Sequence, residues 1–184
     1  MSTLFDAEHL ARMDALLVRI AQSCEAAARR HARAGVLLLA LNEPDTEAAA
    51  QLRAVLGHWQ CHCRDRLHWQ DLGDARAGVV IAPIGFPSQV DEIGEILVRA
   101  IEPYLISCPL LRGAPRVWVG RSLFPDDGVD PQALLRCAQR SLERGRRAAM
   151  SESISRGAAA DHGHAALPVV PPRDVTLAEL AQPR

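Results

Sequence analysis

Apolar positions change period along this chain, and each change marks an element. Between Phe5 and Arg33, Leu10, Met13, Leu17, Ile20 and Cys24 recur at steps of three and four, with Arg12, Arg19 and Glu25 off that face. This predicts one long helix whose stripe serves either as a buried face or as a coiled-coil seam. Gly35 to Leu41 follows with the continuous run Val36-Leu37-Leu38-Leu39, the pattern of a strand buried on both faces. Thr46 to Trp59 reads as a second helix, preceded by Pro44, capped by Asp45, and burying Leu52, Val55, Leu56 and Trp59. Asp65 to Asp71 alternates, with Leu67 and Trp69 against His68 and Gln70, as a half-buried strand does. Leu72 to Arg76 is a tight connection, and Gly78 to Ile84 a buried strand through Val79, Val80 and Ile81, so the pair predicts a hairpin. Ser88 to Tyr104 predicts a third helix, with Ser88 as cap and Val90, Ile93, Leu97, Ala100 and Ile101 inward. Ile106 to Gly113 reads as a loop or short edge strand ending in a turn at Gly113-Ala114-Pro115.

The last two elements are the most sharply written. Arg116-Val117-Trp118-Val119-Gly120 opens a buried strand, and Pro125-Asp126-Asp127-Gly128 carries turn chemistry. A helix from about Pro131 follows, with Leu134, Leu135, Ala138 and Leu142 on one side. The order of helices and strands predicts an α/β chain of the α+β kind, with a mixed, mostly antiparallel central sheet flanked by helices. Residues 1–150 form the expected domain, and 151–184 an Ala-, Gly- and Pro-rich flexible tail. Within the tail, Ser155 to Ala166 reads as linker and Leu167 to Pro172 as extended chain. Asp174 to Gln182 is either a short docking segment presenting Leu177 and Leu180 or part of a disordered tail.

Composition narrows the function. Of 184 residues, 48% are hydrophobic, which is enough for a sizeable core, and the formal net charge of -1 gives no overall pull toward nucleic acid or anionic membrane. The five cysteines, Cys24, Cys61, Cys63, Cys108 and Cys137, show no regular spacing, which argues against a disulfide framework. No run is long and apolar enough to insert into a bilayer, and the start has no secretory pattern. A cytoplasmic location is expected.

Val119-Gly120, Phe124-Pro125, Asp127-Gly128, Leu134-Leu135, Ala138 and Leu142 together resemble the last strand and last helix of the GGDEF domain, the diguanylate cyclase family. The resemblance extends over about Phe5 to Met150. It implies a nucleotide-cyclase palm, and in an active member two nucleotides would be held in trans by metal-binding carboxylates. Metal of that kind needs hard oxygen ligands. Matched to the family's first strand, which ends Asp-x-Asp, this chain has Ala40-Leu41-Asn42. The guanine-binding loop after it is shortened to Glu43-Pro44-Asp45. The signature hairpin falls on Gly73, Asp74, Ala75, Arg76 and Ala77, where one glycine survives and the two acidic positions read Ala75 and Arg76. A one-residue shift brings Asp74 into an acidic slot without making a carboxylate pair. The phosphate-binding basic residue of the last helix corresponds to Arg146, with Glu143 in place of its aromatic neighbour. The product-binding Arg-x-x-Asp corresponds to Arg64 through Leu67, so only the arginine matches.

The resemblance therefore implies a catalytically inactive GGDEF-like domain with no cofactor. It would act in bacterial signalling related to cyclic di-GMP by binding another signalling protein. Homodimer formation and weak nucleotide binding through Arg64 or Arg146 stay open. A second reading is a sensor of GTP or cyclic di-GMP that does not turn it over. A third is an unrelated small enzyme on a ferredoxin-like sheet. His58, Cys61, Cys63 and His68 lie close in sequence, but Cys61-His62-Cys63 is too tight for a zinc knuckle. They read as a helix end with incidental polar residues, and a metal site there stays a lesser alternative. Arg140, Arg144, Arg146 and Arg147 make the last helix basic. This is either a solvated face suited to a helix C-terminus or a docking patch for an acidic partner.

Overall fold

The computed structural model describes residues 2–42, 46–63, 66–106 and 116–159. The elements, in order, are α1 (Ser2–Arg29), β1 (Arg33–Leu41), α2 (Thr46–Cys63), β2 (Leu67–Gly73), β3 (Arg76–Ile84), α3 (Ser88–Ile106), β4 (Val117–Phe124) and α4 (Pro131–Ala159). The strands form one sheet in the order β2-β3-β1-β4, and every pairing is antiparallel. The packing described below belongs to the unit Met1–Met150.

The unbroken apolar run of β1 is explained by its central place, because both faces of the strand are covered. Leu37, Leu39 and Leu41 join the core made with α2 and α3, while Val36, Leu38 and Ala40 join the core made with α1 and α4. Alternation along a strand supplies both sets from one segment. Close approach of the helices depends on two glycines. A methyl group at Gly78 would lie 2.5 Å from Leu16 Cδ2, and one at Gly120 would lie 2.6 Å from Leu142 N. Leu16 therefore seats α1 on β3, and bare backbone seats α4 on β4.

Several expectations shift in detail. The buried face of α1 is Leu16, Ile20, Cys24 and Ala27, whereas Leu10 is 62% exposed. Of the expected stripe, Ile20 and Cys24 are buried and Met13 and Leu17 pack against the same core, so the stripe is a buried face; Leu10 alone falls outside it, and Leu16 joins because Gly78 leaves room for it. The helix also stops before Arg33. His31 adopts φ 50, Ala32 N donates to Ala27 O at 2.9 Å, and Arg33 already begins β1. A left-handed residue after the helix is a common terminator, but histidine there is a weaker signal than glycine. At α3, Ser88 is not the capping acceptor. Gln89 Oε1 accepts from Gly85 N at 2.8 Å and Phe86 N at 3.2 Å. For α4, the cap is Asp130, whose Oδ2 accepts from Ala133 N at 2.9 Å, with Pro131 at the first helical position. Asp127 instead closes the preceding turn, exchanging bonds with Leu123. Finally, α2 runs on to Cys63 and α4 to Ala159. Ser155 to Ala159 are thus helical rather than linker. The expected Asp45 cap, the turn at Gly113-Ala114-Pro115 and the tail beyond Ala159 lie outside the described residues.

Candidate functional site

The β2–β3 hairpin turns at Asp74-Ala75. Both residues are left-handed, with φ 49 and 54, and Gly73 pairs with Arg76 across the turn. Two left-handed central residues are the mark of the type I′ turn that suits the twist of a hairpin. Ala75 is buried, and its carbonyl accepts from Leu41 N at 3.1 Å. This bond ties the turn to the end of β1. Ala40 is the Cα partner of Arg76 in the β1–β3 ladder, and of Trp118 on the other side. The Arg76 guanidinium reaches back to Asp74 Oδ2 at 2.9 Å, while its Nε is buried without a hydrogen-bond partner.

Two carboxylates that might be counted toward a metal are engaged or badly placed. Asp74 is paired with Arg76 and its side chain is 77% exposed. Asp71, two residues before Gly73, is a structural hub. Its Oδ1 accepts from Gly73 N at 2.9 Å, an Asx-type turn. Its Oδ2 lies 3.3 Å from both Arg12 of α1 and Arg53 of α2. Nearby, His9 Nδ1 is 3.1 Å from Leu72 O. Donation of a hydrogen bond to Glu8 raises the Arg12 pKa above its ordinary value; desolvation opposes this, and attraction to Asp71 adds to it. Asn42, in the second position of the former Asp-x-Asp, is used for structure. Its Oδ1 accepts from Arg116 N at 2.8 Å, and its backbone N–H donates to Arg116 O at 3.1 Å. Magnesium seeks near-octahedral oxygen ligation. A methyl group, a guanidinium and a committed amide do not fit it.

Of the two arginines proposed for nucleotide binding, only Arg146 is among the described residues. Arg64 lies outside the described residues. Arg146 is half-buried on α4, one turn beyond Leu142. Ala77, the last signature position, is buried in the core with α2 and α3. Of the His and Cys cluster, His58 and His62 stack with ring centroids 4.2 Å apart, and His62 Nδ1 lies 2.8 Å from His58 O. Cys61 is exposed, and the Cys63 thiol pKa is pushed up by burial. Among the described residues, no three His, Cys, Asp or Glu side chains gather as metal ligands. Sequence reasoning missed the Asp71 hub and the stitch at Asn42. The Asp-x-Gly spacing from Asp71 to Gly73 was the available signal for the first.

Known structures share the fold. A sensory box/GGDEF family protein from Caulobacter crescentus superposes with a TM-score of 0.57 at 21% identity, over 73% of this chain and 92% of that one. The chain has the fold of a GGDEF domain. Similar agreement is found with the active GGEEF domain of a diguanylate cyclase from Vibrio cholerae, at TM-score 0.56, 13% identity, and 73% and 89% coverage. The coiled coil and GGDEF domain of DgcB from Caulobacter crescentus, solved with c-di-GMP, gives TM-score 0.55 at 15% identity, covering 71% and 73%. No protein-family model and no curated protein matches the chain. The GGDEF fold thus persists at an identity where sequence comparison alone is silent.

Proposed function

We propose that this chain is a catalytically inactive GGDEF-fold domain. It serves as a regulatory, protein-binding module in bacterial signalling related to cyclic di-GMP. The observation that supports this most is the pairing of Ala40 with Arg76 where β1 meets the hairpin turn. In the family pattern these are positions for metal-holding carboxylates. Here a methyl group stands where an oxygen ligand is required, and a cation stands where a cation should bind. The short connection at 42–45 between β1 and α2 leaves little chain for a guanine cradle. Meanwhile both cores are filled and the hairpin is fastened by Asp71, Arg12 and Arg53. A scaffold kept in good order without its chemistry suits recognition rather than turnover.

Calorimetry with GTP and with cyclic di-GMP separates this from the sensor reading. An interaction module gives no binding heat at micromolar nucleotide. Micromolar binding that weakens on Arg64→Ala or Arg146→Ala would replace it with the sensor.

A further inference from the structure

The fold sorts the histidines and cysteines between positions 58 and 68. Cys63 packs against the core made with α2 and α3. His68 is the partner of Val80, whose side chain belongs to the core on the other face of the sheet. Alternation along β2 therefore turns His68 away from α2. His58, Cys61 and His62 remain, all exposed on α2. Counted from His58, the other two stand three and four residues on, a spacing that makes them neighbours on one helix face.

Two of these side chains are already arranged. The rings of His58 and His62 lie with centroids 4.2 Å apart. His62 Nδ1 is 2.8 Å from His58 O. A carbonyl oxygen only accepts, so this nitrogen carries the proton and Nε2 keeps its lone pair. Donation from the other ring nitrogen to a carbonyl is the usual support of a metal-bound histidine. The His58 ring and the Cys61 thiol have no hydrogen-bond partner among the described residues. Cys61 and His62 also stand in the last turn of α2, which ends at Cys63, where the helix dipole favours a cation.

We infer that His58, Cys61 and His62 form a binding site for zinc or a similarly soft divalent metal ion. Imidazole and thiolate are ligands of that class, whereas magnesium takes oxygen. Two histidines one turn apart on a helix are an established way to hold zinc. Among the described residues no three such side chains have already converged. The third ligand arrives by rotation of the exposed Cys61 side chain about its Cα–Cβ bond, and its thiol proton is released on binding. Three protein ligands leave the fourth tetrahedral position to water. The site lies where α2 leads into β2, at the far end of that strand from the hairpin turn. It stands whether or not the chain makes cyclic di-GMP.

The test uses the full chain, reduced and freed of metal with a chelator, titrated with zinc by calorimetry and with cobalt(II) by absorption. Zinc is expected to bind at micromolar concentration, undisturbed by millimolar magnesium. Cobalt should give the sulfur-to-metal charge-transfer band of a thiolate ligand. His58→Ala and His62→Ala should each weaken zinc binding at least about tenfold, the loss that follows even from removing a group that only supports a ligand. Cys61→Ser should abolish the cobalt band. None of the three should move the thermal midpoint of the metal-free chain, since the side chains are exposed. Cys63→Ser and His68→Gln should leave zinc affinity unchanged. Absence of zinc binding overturns the inference. So does binding that survives His58→Ala and His62→Ala, or that depends instead on Cys63, His68 or the His162 and His164 pair of the tail.

Discussion

Ala40 and Arg76 are direct partners across the β1–β3 ladder, and the Arg76 head group folds back onto Asp74. In the proposed reading, the positions of a cyclase's metal-holding carboxylates carry this ion pair and the Ala40 methyl group. Reinstating two acids does not rebuild the rest. The double variant Ala40→Asp, Arg76→Glu is expected to yield no cyclic di-GMP from GTP and magnesium, measured by mass spectrometry, because the connection at 42–45 remains short. Ala40→Asp alone should lower stability in urea by about 1–3 kcal/mol, the cost of burying a polar group without a full set of partners.

Gly120 and Gly78 are expected to differ in tolerance. At Gly120, a methyl group meets helix backbone at Ala138 and Leu142, which cannot swing aside. Gly120→Ala should cost about 3 kcal/mol or more through displacement of α4. At Gly78, the obstacle is the end of the Leu16 side chain, and Gly78→Ala should cost about 1–2 kcal/mol, within the ordinary overpacking range. Chemical denaturation of the two variants gives the order, and a larger loss at Gly78 would reverse this account of how α4 docks.

Ala75 holds φ 54, and its methyl group is buried in the core. Ala75→Gly creates the Asp-Gly pair preferred in type I′ turns. Relief of about 1 kcal/mol of left-handed strain is offset in part by loss of one buried methyl, worth about 0.8 kcal/mol. The variant should be as stable as the parent or slightly more so, read from its thermal midpoint. A clear loss would show that the turn is held from outside.

Burial pushes the Cys24 thiol up to about 11. The folded chain therefore keeps this proton in a range where the unfolded chain, titrating near 9.0, has lost it. The sign is definite: this thiol contributes full stability below about pH 9, and the contribution declines as pH rises toward about 11. At pH 8, exposed Cys61 should react with a maleimide well before Cys24, since the thiolate is the attacking species. Peptide mapping of the labelled chain checks the order.

Much of the fold was legible in the sequence because β1 has nowhere to go but the interior. Val36-Leu37-Leu38-Leu39 can be satisfied only between two helical layers, and the turn at Pro125 to Gly128 leads visibly into α4. The face of α1 was legible in Ile20 and Cys24, but its contact at Leu16 was not, because Gly78 on a distant strand makes room for that leucine. The Ser88 cap failed for a similar reason: Gln89 takes the backbone donors of Gly85 and Phe86, and geometry chooses. At the candidate site, Ala40 and Arg76 could be named from the resemblance to the family's motifs, but their direct pairing required the register. Asp71 stayed hidden because its partners, Arg12 and Arg53, come from two different helices.

The most direct measurement is an incubation of the purified full chain with GTP and magnesium, followed by mass spectrometry for cyclic di-GMP. The account predicts product no higher than in a protein-free control at any protein concentration. Product that rises with protein concentration would contradict it.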